Sequence, residues 1–307
     1  MNGPFCLVVN PVAGGGRALR LLGAVTAALA EAGVAYQVSR SASLDDARRL
    51  AGAAARRGEV VVAVGGDGLA GALAGPVAAG GGTYGIVPAG RGNDFALALG
   101  LPTDPASAAR ALVSGQPRAV DLIGVGVPGE PELVVALSVY LGVPSVAGQI
   151  ANRTRLLRGP VVYPVAALRA LARWKPAAFQ VGPGGLAGIP DGSFAAYAVV
   201  VANCPYFGGG MKVAPPAEID DGILDVVTMR HGPRLAFIRV LLRIKDGTHV
   251  ALPQVGLGQA AEVTVTVDRA MLAAADGEAL PGAAPLPAGV PLRIRVLPGA
   301  LRVIAAG

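Results

Sequence analysis

Continuous apolar runs that each end in a glycine-rich segment are the feature of this chain that most restricts its fold. The runs cover residues 5–9, 60–64 and 84–87, and helical patterns cover residues 18–32, 45–57 and 95–100. Buried strands that alternate with helices are typical of a parallel sheet with both faces covered. The sequence therefore predicts an N-terminal α/β domain whose strands end in glycine-rich loops.

The chain changes character after Asp121, where short β-rich runs are separated by Gly and Pro turns. This pattern predicts a mainly antiparallel β-sandwich over residues 123–291, with helices near residues 161–174 and 233–245. Residues 1–122 are then the α/β domain, and we expect residues 292–307 to return to it.

Three stretches lack charge over about the length of a membrane span, at residues 68–90, 133–152 and 192–211. Each is interrupted by Gly and Pro, so we expect strands and turns there rather than helices exposed to lipid. The N-terminus lacks the basic region of a signal peptide. We therefore expect a cytoplasmic protein.

Composition excludes several classes of protein. With 53% hydrophobic residues among 307, the chain can bury a substantial core, and a formal net charge of +6 is too small to indicate a nucleic-acid partner. Cys6 and Cys204 are far apart, without the spacing of a disulfide framework, a zinc site or a thiol enzyme. His231 and His249 have no acid-and-nucleophile pattern around them, so we expect structural or surface roles.

Glycine-rich loops after parallel strands favour a polyphosphate site, because their N–H groups offer positive potential to an anion. The loops match neither the P-loop nor the dinucleotide GxGxxG pattern. Asp67 stands between glycines in the middle loop, where its carboxylate would suit magnesium or a hydroxyl beside the phosphates. The alternative for Asp67 is an N-cap of the following helix, and Asp94 has the same two interpretations.

Several segments together resemble a known family. They are Asn10-Pro11 with Gly14, Gly65-Gly66-Asp67-Gly68, the run PAGRGNDFALALGLP from Pro88 to Pro102, YFGGGMKVAP from Tyr206 to Pro215, DDGILDV from Asp220 to Val226, and Asp276-Gly277-Glu278. Their order resembles that in the bacterial diacylglycerol kinase catalytic family, which includes sphingosine and ceramide kinases. The resemblance runs from residue 5 to about residue 303. It implies a nucleotide-binding α/β domain followed by a β-sandwich that takes the lipid.

The resemblance also implies site residues. Those expected to hold ATP are Asn10, Pro11, Val12, Ala13, Gly14, Ser41, Gly65, Gly66, Asp67, Gly68, Leu69, Arg91, Asn93 and Asp94. Asp276 or Glu278 is expected to be the catalytic base. A structural Mg²⁺ site is expected at Glu218, Asp221 and Ile223, with Asp221 giving its side chain and the other two plausibly their carbonyls.

The chain departs from the family pattern beside the phosphates. Leu69, Gly71 and Ala72 stand where the family has a hydroxyl, an amide and a carboxylate, and Arg91 stands where it has a hydroxyl. Arg91 can bind phosphate through two hydrogen bonds, or it can be a solvated arginine. These departures motivate an alternative function, a non-catalytic lipid-binding or regulatory paralogue.

The predicted reaction is ATP-dependent phosphorylation of the hydroxyl of diacylglycerol or a related lipid, giving a product of the phosphatidic acid type. A sphingoid alcohol is the alternative acceptor. A relative of NAD kinase or phosphofructokinase is disfavoured, because those families lack the GGGMKVAP and DDGILDV pair in this arrangement. Six basic residues and no acidic one lie between Glu132 and Asp191. From Arg153 to Lys175 they interleave with apolar residues that include Trp174, which suits peripheral contact with the anionic inner face of the membrane. The alternative is a solvated face of a core helix. A homodimer is expected from the resemblance alone.

Overall fold

The computed structural model describes residues 3–11, 17–90, 92–153, 162–280 and 285–305. The chain divides into two compact units. The first comprises residues 1–122 and 297–307, and the second comprises residues 123–296. The C-terminal return was expected at residue 292, and the structure has it at residue 297.

The first unit is a parallel sheet covered by helices. Its elements are β1 (Phe5–Val9), α1 (Arg17–Glu31), β2 (Tyr36–Arg40), α2 (Leu44–Arg56), β3 (Val60–Gly65), α3 (Asp67–Ala79), β4 (Thr83–Pro88), α4 (Asp94–Ala98) and α5 (Pro105–Ser114). Two longer strands, β5 (Gln116–Gly126) and β17 (Leu292–Ala305), run across the boundary between the units. The parallel strand order is β17–β4–β3–β1–β2, which confirms the α/β prediction.

The strands β1, β3 and β4 of this sheet are buried on both faces, as their continuous apolar runs predicted, whereas the edge strand β2 is largely exposed. Successive side chains of a strand point to opposite faces, and on β1 both Leu7 and its neighbour Val8 are 0% exposed. Leu7 belongs to a core with Val25 of α1 and Leu112 of α5, while α2 packs on β1. Each fully buried side chain of this size contributes about 1.5–3 kcal/mol.

The prediction of strands and turns for residues 68–90 was wrong for the first half of that stretch, because Asp67–Ala79 is helix α3. Its Ala and Leu content favours a helix. It lacks a polar face because it is buried against α2, β3 and β4. Gly71 and Gly75 are buried in it. On the neighbouring α2, a Cβ placed at Gly52 would lie 3.6 Å from Pro76 Cβ of α3, so small residues let the two helices pack closely.

The second unit is mainly antiparallel. Its strands are β6 (Leu133–Val135), β7 (Ser138–Gly142), β8 (Ala177–Gly182), β9 (Ser193–Ala202), β10 (Tyr206–Phe207), β11 (Met211–Lys212), β12 (Leu224–Arg230), β13 (Val255–Ala260), β14 (Glu262–Val267), β15 (Ala273–Ala275) and β16 (Glu278–Ala279). Its helices are α6 (Val143–Arg153), α7 (Val162–Arg173) and α8 (Arg234–Arg243). The main strand order is β16–β15–β7–β9–β8–β14–β17, with β12 and β13 joined beside β9.

Alternating side chains of β9 supply two separate cores. Val199 and Val201 enter a core built mostly from strand residues, whereas Val200 and Ala202 enter a core that includes residues of α6, α7 and α8. All of these side chains are at most 1% exposed. The first of these cores is the interior of the β-sandwich, which confirms the predicted second fold.

Helix α6 was also missed, because Pro144 was taken as an interruption of residues 133–152. Pro144 is the second residue of α6. Proline is tolerated in the first turn of a helix, where the N–H group that it lacks has no intrahelical partner. Within the described ranges, no helix is both long and apolar enough to cross a membrane.

His249 is buried in a short 3-10 turn, Thr248–Ala251, where its Nε2 lies 3.1 Å from the carbonyl oxygen of Val213. Burial lowers the pKa of His249 below that of an exposed histidine. The folded state therefore resists protonation that the unfolded state accepts below about pH 6.5. This side chain should contribute to loss of stability as the pH falls through that value.

We predict that wild type loses more unfolding free energy between pH 7.5 and pH 5.5 than His249→Gln does, because glutamine cannot be protonated in this range. Urea unfolding of both proteins at the two pH values is the measurement. Other groups that titrate there are common to both proteins, so the difference isolates His249. Equal losses in the two proteins would contradict the assignment.

Candidate functional site

The residues expected to hold nucleotide gather at the carboxyl ends of strands in the first unit. Asn10 and Pro11 follow β1, Ser41 follows β2, residues 65–69 follow or end β3, and residues 93–94 follow β4. Ligands of parallel sheets bind at this edge. Val12, Ala13, Gly14 and Arg91 lie outside the described residues.

Ser41 ties the end of β2 to the end of β1. Its main-chain N–H donates to the carbonyl oxygen of Val9 at 3.0 Å, and its hydroxyl donates to the same oxygen at 3.3 Å. The residue is 3% exposed. Ser41 therefore fixes the start of the loop that contains Asn10, and its hydroxyl oxygen keeps lone pairs with which to accept a hydrogen bond.

The loops after β3 and β4 approach each other so closely that glycine is required in both. A Cβ placed at Gly66 would lie 2.9 Å from Gly90 Cα, and a Cβ placed at Gly90 would lie 2.6 Å from Gly66 Cα. Main-chain atoms cannot move aside as a flexible side chain can. The pair of glycines therefore allows the two loops to pack main chain against main chain.

We predict that Gly90→Ala lowers the free energy of unfolding by roughly 1–3 kcal/mol, because the added methyl group must separate the two loops. Gly23→Ala is the matched control. Gly23 lies in α1 with nothing within 4 Å of an added Cβ, so this change should stabilise by about 0.5–1 kcal/mol. Chemical denaturation checks both values. A stable Gly90→Ala protein would show that the loops do not pack as described.

Asp67 joins the same two loops. Its Oδ2 accepts a hydrogen bond from the N–H of Asn93 at 2.8 Å, and the N–H groups of Asp94 and Phe95 also stabilise its charge. The predicted alternative, a cap of the helix that Asp67 begins, was wrong, because the N-cap of α3 is Gly66. The carboxylate instead faces the N-terminus of α4, where N–H groups lack intrahelical partners.

Burial raises the pKa of Asp67 above that of an exposed aspartate, against the opposing effect of the N–H groups of Asn93, Asp94 and Phe95. Asp67 Oδ1 is buried and has no hydrogen-bond partner among the described residues. A buried carboxylate oxygen without a hydrogen bond raises the free energy of the folded state. A ligand that donates a hydrogen bond to this oxygen would remove that cost.

Asn93 holds the third loop in shape. It has a left-handed backbone with φ 57°, and its Oδ1 accepts from the N–H of Gly90 at 2.9 Å. Asparagine tolerates this conformation better than most residues. Asp94 follows at the start of α4 and is 4% exposed. The depression lined by Gly66, Asp67 and Asn93 is too narrow to admit a water molecule, so it cannot itself enclose a nucleotide.

Leu69 is placed differently from a nucleotide ligand. It is 6% exposed, and its Cδ2 would lie 2.7 Å from a Cβ placed at Gly65. The side chain therefore packs back against the end of β3. Only main-chain atoms of Leu69 remain for contact with a ligand.

The Asp276-Gly277-Glu278 segment is a tight turn between β15 and β16 in the second unit. Asp276 Oδ2 accepts from the N–H of Ala136 at 2.7 Å, and its Oδ1 accepts from those of Leu137 at 2.9 Å and Ser138 at 3.1 Å. Its own N–H donates to the carbonyl oxygen of Ser138. A carboxylate that accepts hydrogen bonds from several main-chain N–H groups is held in a single position. Asp276 therefore anchors the turn.

Glu278 has the opposite environment. It is exposed on β16, two residues after the anchored Asp276. Gly277 between them has φ 91°, and its N–H donates to the hydroxyl oxygen of Tyr140 at 3.1 Å. The main chain before Glu278 is thus held in place, and the Glu278 side chain is exposed to solvent.

The residues expected to bind Mg²⁺ lie in the loop before β12. Glu218, Asp221 and Ile223 are exposed, and Asp221 Oδ1 accepts from the N–H of Ile223 at 3.0 Å. Burial, with a smaller effect of the charge of Asp221, raises the pKa of Asp225 to about 6, against a hydrogen bond from Gln259. Oxygen atoms and negative charge thus collect where a cation was expected.

Side chains alone do not complete a metal site there. Within the described ranges, no group of three or more His, Cys, Asp or Glu residues could hold a metal ion. The site expected at Asp221 differs from such a group, because it uses one carboxylate together with main-chain carbonyl oxygens.

Sequence patterns missed the partners of Asp276. The segment Ala136–Ser138 supplies its N–H donors from about 140 residues away in the chain. Asn203 supports that segment, because its Nδ2 donates to the carbonyl oxygen of Ala136 at 3.1 Å. Asn203 lies three residues before the Tyr206–Pro215 motif, but no sequence pattern indicated Asn203 itself or the segment Ala136–Ser138.

Two family models match the chain. The diacylglycerol kinase catalytic domain matches residues 4–125. The YegS C-terminal NAD kinase beta sandwich-like domain matches residues 137–305. These matches fall on the α/β and β-sandwich folds described above.

Individual relatives match over nearly the whole chain. The diacylglycerol kinase of Mycobacterium tuberculosis is 32% identical over 98% of this chain and 95% of its own length, and that of Bacillus subtilis is 26% identical over 89% and 88%. A crystal structure of a diacylglycerol kinase from Bacillus anthracis has a TM-score of 0.72 at 20% identity, over 98% and 96% of the two chains, and supports the fold. The chain therefore belongs to the bacterial diacylglycerol kinase family and is a lipid kinase.

Proposed function

We propose that this lipid kinase transfers the γ-phosphoryl group of ATP to the free hydroxyl of diacylglycerol, giving phosphatidic acid. The observation that carries the proposal is the anchored turn that presents Glu278 in a chain whose full-length relatives are named diacylglycerol kinases. A kinase needs positioned phosphates, charge neutralisation and a group that accepts the hydroxyl proton.

ATP is the proposed phosphoryl donor, held by the loops at the carboxyl ends of β1 to β4. Three observations support this assignment. Asp67 Oδ1 has no hydrogen-bond partner among the described residues, Gly66 approaches Gly90 main chain to main chain, and α3 and α4 begin at these loops. When bound, ATP with its magnesium supplies the transferable phosphoryl group. In this proposal Asp67 acts mainly by joining the loops after β3 and β4, so that their N–H groups face the phosphates together.

Glu278 is the proposed base, and Asp276 is the proposed positioning residue. A base must reach the proton of the attacking hydroxyl with an unoccupied oxygen, and the exposed carboxylate of Glu278 meets that requirement. Both oxygens of Asp276 already accept main-chain hydrogen bonds. The proton of the lipid hydroxyl would pass to Glu278 as the oxygen attacks the γ-phosphorus.

A structural Mg²⁺ is proposed at Asp221, with the carbonyl oxygens of Glu218 and Ile223. Oxygen ligands suit this ion, and the carboxylates of Asp221 and Asp225 give the loop a charge that a cation would balance. We also propose a homodimer, which rests on the resemblance alone, and a cytoplasmic location, which rests on the sequence patterns described above.

The acceptor is tested with γ-radiolabelled ATP and mixed micelles that contain diacylglycerol, ceramide or sphingosine in turn. The proposal expects label in the product from diacylglycerol at a rate well above that from the other two. Preferential labelling of ceramide or sphingosine would show that the protein is a lipid kinase whose acceptor is not diacylglycerol. Isothermal titration with ATP in the same buffer tests donor binding separately, and absence of binding would reject ATP as the donor.

A further inference from the structure

Helix α8 of the second unit has apolar residues on two opposite faces. Phe237, Val240 and Ile244 are at most 5% exposed and belong to the core, where the ring of Phe237 lies 4.7 Å from that of Tyr197. Leu235 and Leu242 are 61% and 75% exposed, more than any other large hydrophobic residue in the described part of the chain. They are seven residues apart, which places them on one side of the helix, away from the buried face.

Basic residues flank the two exposed leucines. They are Arg234, Arg239, Arg243 and Lys245, all exposed. The sequence from Arg234 to Lys245 contains no acidic residue. The next residue is Asp246, whose carboxylate accepts hydrogen bonds from the N–H and hydroxyl of Thr248. The outer face of α8 is thus apolar along its centre and positive at its sides.

The neighbouring helix α7 adds charge of the same sign. It contacts α8, and the Arg234 Nη2 donates to the carbonyl oxygen of Ala172 at 3.4 Å. Leu168 of α7 is 45% exposed, and Arg169 and Arg173 are exposed beside it. The stretch from Arg153 to Lys175 had been expected to meet the membrane, but its residues 154–161 lie outside the described ranges.

Trp174 does not take the role expected of it in that stretch. It packs against both cores of the second unit, and the guanidinium of Arg269 lies 5.0 Å from the centre of its ring. A membrane anchor must be free to enter the interface. The most exposed large apolar side chains in the described part of the second unit are instead Leu235 and Leu242 of α8.

We propose that α8 docks on the surface of an anionic lipid bilayer, with Leu235 and Leu242 inserted between headgroups and its arginines on the lipid phosphates. Amphipathic helices with leucines on one face and basic residues beside them bind membranes in this way, and long cationic side chains keep their charge at the headgroups. The proposal rests on the proposed function, because diacylglycerol must be reached in a membrane. A second copy of this chain is a poorer partner, since it would bring the same positive charge against α8.

Sedimentation with vesicles of phosphatidylglycerol and phosphatidylcholine tests the apolar contribution without requiring activity. The double variant Leu235→Ser and Leu242→Ser should bind at least about tenfold more weakly than wild type, because two apolar insertions are lost. Leu19→Ser removes a leucine that is 36% exposed on α1 and should bind as wild type does. Circular dichroism confirms that each variant is folded.

The charge contribution has its own matched pair. Arg243→Glu should weaken binding to the same vesicles about fivefold or more at low salt, and less at high salt. Arg110→Glu makes the same change in net charge on α5 of the other unit and should have little effect. Equal losses for the two would show that net charge, and not α8, governs binding, which would overturn the proposal.

Vesicle binding by the double leucine variant equal to that of wild type would overturn the inference while leaving the reaction intact. If light scattering also showed a change in the mass of that variant, α8 would instead be a contact between copies. Failure of wild type to phosphorylate a dispersed short-chain diacylglycerol would instead reject the proposed function, and the vesicle measurements would still stand.

Discussion

Glu278→Gln is expected to lower the turnover number about a thousandfold, because glutamine cannot accept the hydroxyl proton. Glu278 is exposed on β16, so the change should alter the free energy of unfolding by less than about 0.5 kcal/mol. Steady-state phosphorylation of a diacylglycerol, together with urea unfolding, provides both values. A rate within threefold of wild type would remove Glu278 from the chemistry.

Asp276→Asn should instead act through stability. Asparagine tolerates the left-handed backbone at this position, where φ is 47°. In asparagine, however, an amide nitrogen that cannot accept a hydrogen bond replaces one carboxylate oxygen. The N–H of either Ala136 or Leu137 therefore loses its acceptor. Loss of charged hydrogen bonds to partly buried N–H groups should cost roughly 2–3 kcal/mol of unfolding free energy.

The rate of Asp276→Asn is the discriminating measurement. At a temperature where the variant is folded, it should lose much less activity than Glu278→Gln, because the proposed base is still present. Faster hydrogen exchange at Ala136, Leu137 and Ser138 should accompany the loss of stability. Unchanged stability combined with a thousandfold loss of rate would exchange the proposed roles of the two acids.

The α/β part of the fold followed from local patterns. The apolar runs that became β1, β3 and β4 are buried on both faces, and continuous hydrophobicity is what such strands require. The patterns failed at α3 and α6 for local reasons as well. Buried α3 has no polar face to give a helical period, and Pro144 begins a helix that it was expected to prevent.

The site was predictable in position but not in its contacts. A glycine-flanked Asp67 after β3 indicated where phosphate chemistry belongs, yet its partner Asn93 lies 26 residues further along the chain. Asp276 and Ala136 are 140 residues apart. Such contacts depend on how separate elements pack, which no local pattern contains. The difference between the two acids of the Asp276-Gly277-Glu278 turn became visible only through those contacts.

The exposed face of α8 also could not be predicted from local sequence patterns. The sequence predicted a helix over residues 233–245, but hydrophobic spacing alone does not distinguish an exposed leucine from a buried one. The exposed fractions of Leu235 and Leu242 identify the face of the helix that is not covered.

Transfer of label from γ-radiolabelled ATP to a dispersed short-chain diacylglycerol tests whether this protein phosphorylates that lipid with Glu278 as the base. We expect a labelled product that migrates with phosphatidic acid, formed in equal amount to ADP by wild type and nearly absent with Glu278→Gln. Release of ADP or phosphate without labelled lipid, or equal labelling by both proteins, would contradict it.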